Sequence, residues 1–250
     1  MLTTGNDLKE YLEGLVEKYE VLDFIPDDPV RFLHRYKRVE DVEIAGFIAS
    51  IFAFGSRKVF LQKLEILFDL MDEGPYQYVI NGDFKLDNFV YRFLKAQDVI
   101  GVFQVLHKLY LYDGGLKALF RKAIASGDLM QYVCDYFYKN APQFVGKGFL
   151  FAIPNPKCKG AMKRMWMFLR WMVRKSVVDV GVWQDIMKPS QLKIPLDTHV
   201  ARVSRELGLL KRSGNGWCAV EEVTSKLREF DPEDPIKYDF ALFGYGIDNY

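Results

Sequence analysis

Apolar residues recur at helical spacing along nearly the whole chain, and this period constrains the fold more than any other feature. In EIAGFIASIFAF, Ile44, Phe47, Ile48, Ile51 and Phe52 follow the i, i+3, i+4, i+7, i+8 stripe of a helix buried on one face. In AMKRMWMFLRWMV the stripe is Met162, Met165, Trp166, Leu169, Met172 and Val173. In THVARVSRELGLL it is Val200, Val203, Leu207 and Leu210. Sustained alternation of apolar and polar residues between turn signals is scarce, which argues against sheets. The fold class read from the sequence is therefore all-α. Asp27-Asp28-Pro29 and Gly74-Pro75 each predict a helix start with proline in the first turn. Gly114-Gly115, Ser126-Gly127-Asp128 and Asp231-Pro232 predict helix boundaries.

With 250 residues, half of them apolar, the chain can bury a sizeable core as one large globule or as two lobes. We expect two lobes. A hairpin-containing lobe covers about 40–212, and a second lobe combines the N-terminal segment with about 213–250. The opening MLTTGNDLKEYLEGL is acidic and amphipathic, unlike a signal peptide. No apolar run reaches the roughly 18 residues a membrane span needs. The three cysteines, Cys134, Cys158 and Cys218, lie far apart without a CxxC pair. They exclude a disulfide scaffold and a four-cysteine metal or iron–sulfur site within the chain. We therefore expect a cytoplasmic protein with free thiols, acting as a monomer without metal or cofactor.

The net charge of +1 hides an asymmetry. From Leu150 to Arg212, thirteen Lys/Arg against four acids give +9, and the remaining twenty-one cations against twenty-nine acids give −8. A basic segment in a neutral protein fits a phosphate-bearing partner, nucleic acid above all, and it equally fits a solvated helical surface.

Within that segment, Pro195 blocks a helix and Asp197 then stands where an N-cap belongs, ahead of THVARVSRELGLL. Asp197 needs no role beyond capping. A carboxylate fixed there also suits stabilising a positive sugar carbon or receiving a proton. Upstream, Pro154, Pro156 and Gly160 make a turn between GFLFAI and a helix starting near Ala161, which reads as helix–hairpin–helix. The face opposite the apolar stripe carries Lys163, Met167, Arg170 and Arg174. With Lys157 and Lys159 in the hairpin, this face suits a DNA backbone, or else simply faces solvent. FGSRK presents Arg57 and Lys58 either to phosphate or in a plain helix-to-helix turn. His34, His107 and His199 lack metal-ligand spacing and read as structural.

The hairpin, the lysine just after it and the Pro-x-Asp-x-x-Val-x-Arg helix start resemble the helix–hairpin–helix DNA glycosylase superfamily. LDTHVARVSRELGLL is similar to its VDTHVxRV-like segment, and VEIAGFIASIFAFGSRKVF to its early helix and the turn facing DNA. The nearest branch is the archaeal 8-oxoguanine DNA glycosylases. It shares a lysine opening the hairpin's second helix, a capping aspartate in a PVDYRVAR-like segment and a late LDTLLW-like helix that YDFALF resembles. The chain also resembles, nearly end to end, a bacterial protein family carrying the same MFLRWMVRK and PLDxHVARV segments. The glycosylase likeness is remote and covers about 40–70 and 146–247. PKCKGAM stands in place of the superfamily's LPGVG-like hairpin, and the optional iron–sulfur cluster is excluded by the cysteines.

The resemblance implies a two-lobed helical architecture acting on damaged duplex DNA. A lesion base must leave the duplex before an enzyme reaches its sugar. Lys163 would attack C1′ as the base departs, giving a Schiff base and then strand nicking, with Asp197 stabilising the sugar cation or accepting the lysine proton. Asp239 and Phe243 fall on the base-contacting positions, where Asp239 would accept purine N–H groups and Phe243 would stack. Taken alone, Phe243 fits ordinary core packing better, and Asp239 a partly exposed helical acid. Two alternatives remain open at this stage. One is a non-catalytic DNA- or RNA-binding module on the same scaffold. The other is a structural helical protein whose basic segment binds another protein.

Overall fold

A computed structural model describes residues 5–249. Among them the chain forms twelve α-helices, α1 (Gly5–Tyr19), α2 (Val39–Phe52), α3 (Arg57–Asp69), α4 (Pro75–Asn81), α5 (Ala96–Tyr112), α6 (Gly115–Ser126), α7 (Leu129–Asn140), α8 (Lys147–Ala152), α9 (Lys163–Val173), α10 (Thr198–Glu206), α11 (Trp217–Phe230) and α12 (Tyr238–Asp248). Two antiparallel strands of two residues each, β1 (Val90–Tyr91) and β2 (Leu94–Lys95), precede α5. The protein is predominantly helical, as its hydrophobic period predicts.

Most boundary signals fall where expected. Gly74, at φ +102°, opens α4 with Pro75 as its first residue. Gly127 ends α6 in the left-handed region, and the Asp128 carboxylate then accepts the Gln131 N–H at 3.4 Å to start α7. Asp27-Asp28-Pro29 does not begin an α-helix. The chain there makes two 3₁₀ turns, Leu22–Asp27 and Pro29–Arg35. Pro26 and Pro29 each lack the N–H an α-helix would use, and the Asp28 side chain takes up the Val30 N–H at 2.9 Å.

The chain divides into two compact units, 31–158 and the pairing of 5–30 with 159–249. These boundaries lie at 30/31 and 158/159, away from the expected 40 and 212. The reason is α12, which packs along both α1 and α10 and so places the N-terminal helix in one core with the C-terminal half. Gly244 permits that approach, because a Cβ there would sit 2.3 Å from the Tyr19 ring.

In the 31–158 unit, α2 is buried from Val42 to Phe52 on all sides rather than on one face. Phe47 stacks on Phe137 at 5.0 Å, and the Glu43 carboxylate accepts the Tyr110 hydroxyl at 2.8 Å. His107 sits on the Val79 carbonyl at 2.7 Å, a structural contact between α5 and α4. In the other unit α9 takes the central place. Every residue from Met165 to Val173 is buried, Arg170 included. A helix apolar on most of its circumference goes inside, and Arg170, with Arg174 just past the helix end, must then find partners there.

Candidate active site

Lys163 is the first residue of α9 and stands on an unusual support. Met162 before it has φ +51°, in the left-handed region that few non-glycine residues occupy, and its carbonyl accepts the N–H groups of Met165 and Trp166. The segment leading in is pinned where the Lys159 carbonyl accepts the Trp217 N–H at 2.9 Å, and Trp166 stacks on Trp217 at 6.1 Å. The backbone that aims Lys163 is thus fixed against the start of α11.

Asp197 caps α10 as its sequence setting predicts. Its Oδ1 accepts the Val200 N–H at 2.8 Å. Its Oδ2 lies 3.4 Å from the Lys163 ammonium. One oxygen therefore terminates a helix while the other faces the Lys163 amine, so a single carboxylate makes both contacts. The Lys163 side chain keeps 30% of its surface and Asp197 14%, so the pair is sheltered yet reachable.

Asp239, in the first turn of α12, is buried and accepts a hydrogen bond from the Arg170 guanidinium. Burial pushes its carboxyl up to about 6. Arg170 offsets part of that rise, the Asp197 charge adds to it and Lys163 works against it. The three side chains Lys163, Asp197 and Asp239 therefore share one electrostatic neighbourhood within one unit. Asp239 meets Arg170 instead of standing open for a base. Phe243 is half-buried, edge-on to Phe24 at 6.1 Å and to His199 at 6.4 Å. His199 in turn sits on the Gly246 carbonyl at 3.2 Å.

Arg170 and Arg174 correct the expected phosphate-facing stripe, because both are inside the protein at 5% and 4% exposure. Arg170 Nε donates to Asp179 at 3.2 Å, and its guanidinium lies 4.3 Å over the Phe240 ring. Arg174 donates to Asp234 at 2.9 Å and Glu20 at 2.8 Å, and it also meets Asp179. Burial opposes both charges, but these acids more than compensate and hold both guanidinium groups above their ordinary value. The sequence reading missed Asp179, Asp234 and Glu20. One signal was available. Arg170, four residues before Arg174, has apolar neighbours on both flanks in MWMFLRWMV, which marks an interior position.

The remaining basic candidates lie elsewhere. Lys157 is exposed in the turn Pro156–Cys158, and Lys159 is exposed with φ +54°. Arg57 and Lys58 open α3 in the 31–158 unit. Several other cations of the +9 segment are engaged locally. Lys193 pairs with Glu221 and Arg212 with Glu222, while Arg205 donates to the carbonyls of Arg212, Ser213 and Gly214. Among the described residues no three His, Cys, Asp or Glu side chains converge to hold a metal ion.

A family model described as a protein of unknown function (DUF2400) matches residues 28–248. No curated protein and no solved structure matches the chain.

Proposed function

We propose a DNA repair function for this chain, which belongs to the DUF2400 family along most of its length. It acts as an N-glycosylase with associated lyase activity, removing a damaged base of the oxidised-purine class. The observation that carries the reading is the Lys163 amine 3.4 Å from Asp197 Oδ2, with the other oxygen of that carboxylate anchored to a helix start.

The chemistry needs a nucleophile and a base in hydrogen-bond reach, positioned by a third constraint. Lys163 is the nucleophile. Its nitrogen bonds to C1′ as the bond from C1′ to the base nitrogen breaks and the base departs with that electron pair. Asp197, ionised until then, steadies the cationic sugar as the base leaves, and once the bond to C1′ has formed it takes the proton the nitrogen gives up and becomes neutral. Opening of the sugar ring gives the Schiff base. Loss of a C2′ proton then expels the 3′ phosphate and nicks the strand. Asp239, paired with Arg170 behind the site, sets the charge around Lys163 and Asp197. Exposed Lys157 and Lys159 suit phosphate contacts, which position a duplex without reading its sequence.

The test is borohydride trapping over a panel of damaged duplexes. The wild-type chain should form a covalent complex with at least one lesion, and Lys163→Gln should form none while remaining folded. Trapping that survives Lys163→Gln moves the nucleophile to a neighbour such as Lys159 or Lys175. A wild-type chain that traps nothing leaves the non-catalytic DNA- or RNA-binding module as the better account.

A further inference from the structure

Three aromatic rings from three separate elements meet on the surface of the unit Arg31–Cys158. Phe54 comes from the turn between α2 and α3, Phe93 from the tip of the β1–β2 hairpin and Phe151 from α8. The ring centroids lie 5.5 Å apart for Phe54–Phe93, 4.7 Å for Phe54–Phe151 and 4.2 Å for Phe93–Phe151. Although packed on one another, Phe93 and Phe151 keep 43% and 37% of their surface exposed, and Leu150 beside them keeps 56%. Rings packed together while Phe93, Phe151 and Leu150 keep this much surface in water present an exposed apolar patch, which marks an interaction surface.

The face is held rigidly. The Tyr91 hydroxyl donates to the Phe54 carbonyl. Gly55, at φ +78°, leaves room for the Arg92 side chain, whose Nη1 would lie 2.8 Å from any Cβ there. Gly148 brings α8 against the hairpin, since a Cβ would sit 2.7 Å from the Phe93 carbonyl oxygen. Turn, hairpin and helix are thereby locked together, and the rings need little ordering when a ligand arrives.

Charge selects the occupant. The segments that carry the rings, 54–58, 90–97 and 143–151, contain Arg57, Lys58, Arg92, Lys95 and Lys147 and no Asp or Glu. A protein partner favours an apolar centre poor in lysine. Flat rings rimmed by cations match the unpaired bases and phosphates of a single strand. We propose that this face binds single-stranded nucleic acid, stacking unpaired bases on Phe93 and Phe151 while Lys58 and Arg92 meet phosphate. The proposal does not depend on Lys163 being a nucleophile.

The experiment uses the full chain carrying Lys163→Gln, so that only binding is read. Fluorescence anisotropy at low salt measures labelled ten-nucleotide oligothymidylate, oligouridylate and an abasic strand of equal length. The parent should bind at least one of the two base-bearing strands, and the choice between them assigns DNA or RNA. Phe93→Ala and Phe151→Ala should each weaken that binding about tenfold or more. Phe93→Trp should restore it, and the abasic strand should bind parent and alanine variants alike. Arg92→Glu with Lys58→Glu should weaken all three strands together. Equal binding of base-bearing strands by parent and alanine variants overturns the proposal. So does an equal loss on the abasic strand, or a parent that binds neither base-bearing strand. A failure of borohydride trapping, by contrast, bears on Lys163 alone.

Discussion

Asp197 divides its two oxygens between two tasks, and substitution separates them. Asp197→Asn keeps the acceptor for the Val200 N–H, so stability should fall by less than about 0.5 kcal/mol, whereas Asp197→Ala should lose about 0.5–2 kcal/mol with the cap. Urea unfolding of both variants measures this. Under the proposed chemistry Asp197→Asn should nevertheless lower turnover on a cleavable lesion by about 10²–10³, because the charge facing Lys163 is gone. Full activity in Asp197→Asn would reduce the residue to a cap. Asp239 makes a separate prediction. Its carboxyl rises from an ordinary 3.8 to about 6 on folding, so between these values the folded chain holds a proton that the unfolded chain has lost. Its contribution to stability is therefore full below about pH 3.8 and is lost as pH rises through about 6. Relative to Asp239→Asn, the wild type should lose stability over that window, read from urea midpoints at each pH. A relative gain would show the carboxylate to be ionised throughout. Asp197 was legible in the sequence because capping is local, with a blocking proline, an acid and an amphipathic run within a few residues. The partners of Arg170 and Arg174 were not. Asp234 and Glu20 lie 60 and 154 residues from Arg174 along the chain, and no local pattern joins them.

Helices α9 and α10 show how far periodicity reaches. It found both, and it placed the stripe from Met162 to Val173 on the buried side. It turned the opposite face outward, to phosphate or solvent, because a helical wheel records only polarity, and an arginine looks the same whether it meets water or the three acids around Arg174. The distinction has a measurable consequence. On a surface stripe, Arg174→Met would change stability by no more than about 0.5 kcal/mol. In the observed setting it leaves Glu20, Asp179 and Asp234 short of a countercharge and should cost about 3–5 kcal/mol in urea unfolding. The contact of α1 with α12 gives a second case. Gly244→Ala drives a methyl into the Tyr19 ring and should cost about 1–3 kcal/mol, read as a lowered thermal midpoint. The aromatic hairpin escaped the sequence reading for a different reason. Strands of two residues are too short to show alternation, so Phe93 carried no strand signal.

For the molecule as a whole, the +9 segment overstates the charge available to a polyanion. Removing the buried Arg170 and Arg174 from the set leaves Lys157 and Lys159 as the exposed candidates in the hairpin. Each phosphate contact contributes about −0.9 to the slope of log affinity against log salt. Duplex affinity of Lys157→Glu with Lys159→Glu should therefore show a slope shallower than the wild type's by about 2, and an unchanged slope would take the hairpin off the DNA. The helical class was legible because one period runs through both units. The division into units was not, because it depends on α12 meeting α1, a pairing between distant parts of the chain. That pairing has a consequence during synthesis. The helix α1 is made early, yet the surface it needs, α12, follows more than 200 residues later. At about 5–20 residues per second, on the order of ten seconds pass while 31–158 is translated, and that unit can collapse meanwhile. The amine and its two neighbouring acids assemble only after α12 emerges with Asp239. A chain cut short before that point carries Lys163 and Asp197 on an unfinished core, so the proposed chemistry has to wait for α12.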